Sequence, residues 1–339
     1  MDAEELQRRR DERARARRKR RTRRRVGIGT TVGVVVIAVA VAIASASGSG
    51  TSGATRTHAS KSPRRTRATA HATTRHGRAD APHLRGESTA AVLGPETGVR
   101  GTASVPVLMY HVIAPPPSGA PFPGLYVQPQ QFAQQMQALK HAGWHAVTLD
   151  QLQAYWSKGA KLPPGKPIVI TFDNGYHSQY TEALPVLHRM GWVADENIQL
   201  SGLPPSQGGL TTDEVKAMVD AGWELDTQGI SHADLITLDA SQLRYQIDSA
   251  RRTIRRRYGV PVNWFCYPSG HYDTTVIDAV RAAGYIGSTT VVPGWAGPSS
   301  DPYRLPRLRV MGGTSATALL SQIADTRTAS APPGSYGGA

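Results

Sequence analysis

With 339 residues, 34 Gly, 24 Pro and one Cys, the chain can form one large domain or two ordinary ones around a sizeable core. Its formal charge of +14 is uneven: residues 1–25 hold thirteen Lys/Arg against five Asp/Glu, residues 26–100 nine against three, and residues 101–339 seventeen of each. The neutral C-terminal two thirds has no bulk electrostatic reason to bind nucleic acid, and the lone Cys266 excludes an intramolecular disulfide framework and a Cys-rich zinc site.

The basic stretch 1–25 runs into VGIGTTVGVVVIAVAVAIASA at 26–46, a segment of 21 positions without a charge. About 20 apolar residues in a helix span a hydrocarbon core, and dense Arg upstream holds that end in the cytoplasm. The pattern predicts a single-pass signal-anchor helix at 26–46 in the cell membrane, a cytoplasmic tail before it and an extracellular remainder. The alternative is a cleaved signal peptide and a secreted protein, because Ala44-Ser45-Ala46 has the small-residue form of a cleavage site. The apolar run exceeds the usual signal core of about 7–15 residues. Residues 47–102 are rich in Ser, Thr, Ala, Gly and Arg, lack apolar periodicity, and predict a disordered extracellular linker.

From Val105 the pattern changes. Val105 to Tyr110 reads as a strand. Pro129 to Gly143 reads as a helix, with Phe132, Met136 and Leu139 on one face. His145 to Leu149 reads as a strand, with Asp150 as N-cap of the next helix. Pro167 to Phe172 has the composition of a buried strand, and a helix follows over Ala183 to Arg189. Thr211 or Thr212 caps a helix to Ala221, and Trp223 to Leu225 is a short strand. A long helix covers Ser241 to Tyr258, Trp264 to Tyr267 is a strand, Asp273 to Ala283 a helix and Tyr285 to Thr290 a strand. This alternation implies βα units around a parallel sheet or barrel, whose chemistry sits at the C-terminal ends of strands. The domain is expected over 103–322, with a flexible tail at 323–339.

Three candidates stand at such ends. Asp173 directly follows the strand Pro167–Phe172, where scarce water demands a cation, a donor or a raised pKa. His111 ends the first strand, and His232 lies just beyond Glu224-Leu-Asp226. Two His and an Asp at three strand ends suit metal-assisted or acid–base hydrolysis. Tyr267-Pro-Ser-Gly270 is a turn at a fourth strand end that either lines the site or closes a loop.

Six segments then fall in a telling order: Val107-Leu-Met-Tyr-His111, Thr171-Phe-Asp-Asn-Gly175, Ser231-His-Ala-Asp-Leu235, Phe265-Cys-Tyr-Pro-Ser-Gly270, Ala283-Gly-Tyr285 and Arg307-Leu-Arg-Val310. Together they resemble the polysaccharide deacetylases with a NodB-homology domain, more closely the branch whose domain begins with a Met-Tyr-His strand, over roughly 103–312. The resemblance implies an α/β fold, a distorted (β/α) barrel with fewer than eight regular units. It implies removal of acetyl groups from N-acetylated cell-wall or secreted glycan. In the family a divalent metal, often zinc, is held by one Asp and two His. A neighbouring Asp acts as base and a His as acid.

Carried over by position, the base falls on Asp173 and the metal ligands on Asn174, Gln228 and His232. The first two are neutral amides where the family has a carboxylate and an imidazole. Zinc wants anionic or imidazole ligands, so the resemblance implies a weak or lost metal site, with amide oxygens better suited to hard cations. The late His motif is missing after Arg309, so the acid falls on His111, with His271 second. Tyr267, Pro268, Gly270 and His271 are expected at the substrate. The family's Arg that orients the base falls on Cys266. Asp195-Glu196-Asn197 replace an apolar strand and could act as substitute ligands or form an exposed loop. Asn174-Gly175 is prone to deamidation, which would restore a carboxylate. Two functions remain open: a hydrolase, and a catalytically inactive glycan-binding barrel. No protein partner is implied.

Overall fold

The computed structural model describes residues 93–201, 203 and 208–338. The expected cytoplasmic tail, membrane helix and most of the linker lie outside the described residues, and no helix among those described is long and apolar enough to cross a membrane.

Nine strands are described. β1 is Val105–Tyr110, β2 Trp144–Val147, β3 Lys166–Asn174, β4 Asp195–Ile198, β5 Glu224–Thr227, β6 Trp264–Cys266, β7 Gly287–Thr289, β8 Trp295–Ala296 and β9 Leu308–Arg309. Seven helices join them: α1 Pro129–His141, α2 Leu149–Lys158, α3 Leu184–Met190, α4 Thr212–Asp220, α5 Ala240–Tyr258, α6 Thr274–Ala282 and α7 Ala316–Asp325. The sheet runs β7-β6-β5-β4-β3-β1-β8, with β2 on the first half of β3 and β9 on β1. All these pairings are parallel except β1 with β8. The run Leu305–Arg309 closes the curve: Leu305 bridges Thr289 of β7, while Leu308 and Arg309 pair with Leu108 and Met109 of β1. The result is the expected distorted α/β barrel.

Local chemistry explains the helix borders. Thr148, not Asp150, caps α2: its hydroxyl accepts from the Gln151 amide while the Gln151 side chain accepts from the Thr148 amide. Thr211 and Glu214 form the same box on α4, and Asp239 and Gln242 on α5. Gly259, at φ 71°, ends α5 in the left-handed conformation that glycine adopts without strain.

Between sheet and helices lie the apolar layers. Phe132, Met136 and Leu139 of α1 pack with Tyr110 and Phe172; Leu243, Ile247 and Ile254 of α5 pack with Phe265 and Tyr285. The barrel interior is polar, holding Thr171, Asp173, Asn197 and Arg307, all buried.

Two borders differ from the sequence reading. Residues 94–101 are tied to the domain: the amides of Gly94, Thr97, Gly98 and Gly101 donate to carbonyls of Lys161, Gly159, Lys158 and Tyr155. The packed body therefore starts about ten residues before position 103. At the other end, α7 runs past 322, and Tyr336 exchanges two 2.8 Å backbone hydrogen bonds with Tyr272. The stretch 323–338 is thus anchored at its far end.

Candidate active site

The C-terminal ends of the strands surround one cleft of about 730 Å³. His111 reaches it from β1, Asp173 and Asn174 from β3, Gln199 from just after β4, Gln228 and His232 from the loop after β5, Tyr267 and Gly270 from the turn after β6, and Arg309 from β9. The three predicted metal positions and the predicted base therefore converge, although they come from separate parts of the chain. Pro268 and His271 do not line the cleft: the imidazole of His271 turns to Asp234, Nδ1 to Oδ1 3.0 Å, and Ser269 lines it in their place.

Asp173 forms the floor. The Arg307 guanidinium grips it in a two-pronged pair, Nη1 to Oδ1 2.8 Å and Nη2 to Oδ2 2.9 Å. Asn197 Nδ2 donates to Oδ1 at 2.9 Å, and the Cys266 thiol lies 3.5 Å from Oδ2. Burial alone would raise the pKa of this carboxyl, but the Arg307 charge and hydrogen bonds outweigh burial and bring it down to about 2. Arg307 itself is fully buried; its Nε donates to the Thr290 carbonyl and Nη1 also to Thr171 Oγ1. Sequence reasoning missed this residue's role. The orienting Arg was sought at position 266, whereas the guanidinium arrives from the closing segment and lies 3.2 Å from Cys266 Sγ. The quoted Arg307-Leu-Arg-Val310 motif was the available signal.

His111 Nε2 lies 4.0 Å from Asp173 Oδ2, too far for a hydrogen bond. Burial pushes its pKa down to about 4 against a partial upward pull from Asp173, so the imidazole is neutral at pH 7. Gln179 holds the two strand ends together: its Nε2 donates to the carbonyls of His111 and Asp173 at 2.8 and 2.9 Å. Burial likewise lowers the pKa of His232.

The backbone is strained around this cleft. Among the described residues the non-glycine positions with positive φ are Asn174 (83°), His232 (50°) and Ser269 (58°), and all three line it. Such conformations persist only where the surroundings over-determine them, and they gather at functional sites. Gln246 fixes the His232 loop by accepting from the Ile230 and Ser231 amides.

Asp195, Glu196 and Asn197 are not an exposed loop: they form β4 and are buried. They do not line the cleft, so the expected substitute ligands are absent from it. Asn197 bonds Asp173; Asp195 bonds the Leu149 amide away from the cleft; and Glu196 pairs in register with Phe172, on the opposite face of its strand from these two. Gln199 and the rim residues Phe122 and Met311 were not expected at the site.

The cleft's donor set does not fit a tightly held zinc ion. At the three predicted metal positions it offers one imidazole, His232, with amide oxygens at Asn174 and Gln228, while its buried carboxylate is taken by Arg307. Instead the side chains of Gln199 and Gln228 bring neutral amide groups to the cleft wall.

Residues 160–287 match a family model described as polysaccharide deacetylase. The polysaccharide deacetylase-family protein YxkH of Bacillus subtilis is 29% identical over 222 residues, covering 65% of this chain and 76% of its own. A solved polysaccharide deacetylase-family structure from Bacillus anthracis aligns over 66% of this chain and 69% of its own, with a TM-score of 0.58 and 27% identity. The Streptococcus pyogenes deacetylase PplD, solved with acetate, aligns over 66% of this chain and 99% of its own, with a TM-score of 0.60 and 25% identity.

Proposed function

We propose that the chain is a polysaccharide deacetylase family protein, of a family of carbon–nitrogen hydrolases, and that it is a membrane-anchored, outward-facing hydrolase removing N-acetyl groups from cell-wall or secreted glycan with a degraded metal site. The supporting observation is the convergence of His111, Asp173, Asn174, Gln228 and His232 on one cleft. The amide side chains of Gln199 and Gln228 on the cleft wall suit the polar groups of an acetylated sugar. Phe122, 68% exposed on the rim, offers a flat apolar surface to a sugar ring.

The family uses a divalent metal; this cleft does not match its ligand chemistry, so no step is derived through one. The protein's own groups then set the limits. Asp173 is ionised above about pH 2 and is the base, but a weak one, with its lone pairs mostly filled by Arg307 and Asn197. His111 is the acid, and it carries its proton only below about pH 4 in the free protein. Turnover is therefore slow and favoured by acid, since kcat/KM follows the free-protein pKa values.

The second reading, an inactive glycan-binding barrel, is favoured by that same saturation of Asp173. Acetate release from chitin oligomers and peptidoglycan, measured between about pH 3 and 8 beside glycan binding by calorimetry, separates the two. Release that rises toward acid and vanishes in Asp173→Asn supports the hydrolase. Binding without release supports the second reading, and neither binding nor release overturns both. Extraction of full-length protein from cell membranes at alkaline pH tests the anchor: recovery in the soluble fraction would refute it.

A further inference from the structure

A second set of carboxyls lies within β4 and β5, before the strand ends that line the cleft. Asp195 opens β4, Glu224 and Asp226 lie in β5, and the parallel register sets Asp195 beside Glu224. One oxygen from each of the three falls within 4.8 Å of the others. Asp195 and Asp226 are fully buried, whereas Glu224 is partly exposed.

Hydrogen bonds divide their oxygens into two sets. Asp195 Oδ1 accepts from the Leu149 amide at 2.8 Å and Glu224 Oε2 from the Asp150 amide at 2.9 Å. Asp226 Oδ1 accepts from the amides of Asn263 and Trp264 at 3.1 and 2.8 Å. The other oxygen of each residue, Asp195 Oδ2, Glu224 Oε1 and Asp226 Oδ2, is buried and accepts from no backbone amide; Glu224 stands within hydrogen-bonding reach of both Asp195 and Asp226, and of Thr148. Four backbone amides thus fix the outward oxygens and leave three inward ones facing one another.

Three neighbouring buried carboxyls must be compensated either by shared protons or by a cation. Amide donors favour the ionised form of a carboxyl, and fixed outer donors of this kind are how metal sites orient their ligands. Asp150 adds negative charge from beside the cluster: its two oxygens accept from Asn263 Nδ2 at 2.7 Å and Trp264 Nε1 at 3.1 Å. An all-carboxylate donor set suits a hard cation.

The geometry points to a binding site for one hard divalent cation, of the calcium, magnesium or manganese class, held by Asp195, Glu224 and Asp226. This site is separate from the cleft. It ties the start of α2 to β4, β5 and β6, so its occupancy stabilises the barrel floor.

The test uses the full chain after treatment with chelator. Terbium serves as a luminescent stand-in for calcium, sensitised by the Trp264 indole. We expect saturable emission that calcium displaces, and a rise in the thermal midpoint with calcium, magnesium or manganese. Glu224→Gln, at the partly exposed ligand, should weaken the ion by at least about tenfold, the scale of lost site contacts. Asp195→Asn is the second such variant. His232→Ala, in the cleft, should leave the emission and the shift in place. Absence of both signals in the wild type, the outcome for carboxyls that share protons, overturns the site. So does a signal that survives unchanged in Glu224→Gln and Asp195→Asn, or one lost in His232→Ala.

Discussion

Arg307 and Asp173 are both buried, and each is tolerable only beside the other. Removing one partner of a buried pair leaves an uncompensated charge, which costs about 3–5 kcal/mol. Arg307→Met should therefore lower the unfolding free energy from urea titration at neutral pH by an amount of that order, and Arg307→Lys by less, since an ammonium keeps the charge and loses the fork. His111 acts through pH. Its folded pKa is about 4 against 6.5 in the unfolded chain, so between those values the unfolded chain binds the extra proton. Stability consequently falls as pH drops from 6.5 to about 4. Asp173 adds a second loss between its unfolded 3.8 and about 2. His111→Gln should flatten the upper window and leave the lower one, as read by urea unfolding at a series of pH values. Asp173, His111 and His232 were legible in the sequence because strand ends in βα folds collect chemistry. Arg307 was not, because its partner lies 134 positions away in sequence and the pairing depends on how the barrel closes.

At the scale of elements, β4 shows what hydrophobic patterning cannot reach. Asp195-Glu-Asn197 looks like a surface loop, yet it is a buried strand whose Asp195 and Asn197 are held by partners far away in sequence. The helices were legible through caps and apolar faces; α7 carries the same signal, the Ser315 cap with buried Leu319 and Ile323, but was not read from it, and the two-residue strands β8 and β9 gave none. Glu196 is the costly residue of β4. It is buried, and burial, with the Asp173 charge second, raises its pKa well above the usual carboxylate value against a smaller downward pull from the Gly175 backbone. A raised folded pKa means that stability is full below the unfolded value, 4.5, and declines as pH rises through the folded one. Glu196→Gln does not titrate. Its stability relative to the wild type should therefore increase with pH from about 5 to 8, and a constant difference in unfolding midpoints across that range would refute the argument.

At the scale of the molecule, both ends of the described chain fasten onto the barrel at places that composition assigns to spacer or tail. Residues 94–101 lie along the end of α2, while the C-terminal stretch crosses to the turn after β6. Pro and Gly there lower the apolar content, which makes the stretch look unstructured, but its contacts are made mainly by backbone and two tyrosines. Tyr272 is fully buried, its hydroxyl donates to the Pro333 carbonyl at 2.8 Å, and its backbone is paired to Tyr336. Arg304 Nη1 reaches the Pro332 carbonyl at 3.4 Å, and Tyr336 packs against the α5–α6 core layer. A chain ending at Ala331 would lose these bonds and expose Tyr272, at a cost of about 1–3 kcal/mol from lost burial and hydrogen bonding. None of residues 332–338 lines the cleft, so the shortened protein should unfold earlier and bind glycan with unchanged affinity. An unchanged melting midpoint would show that the stretch rests on the barrel without holding it, while weakened glycan binding would show that it positions the His271–Asp234 pair beside the His232 loop.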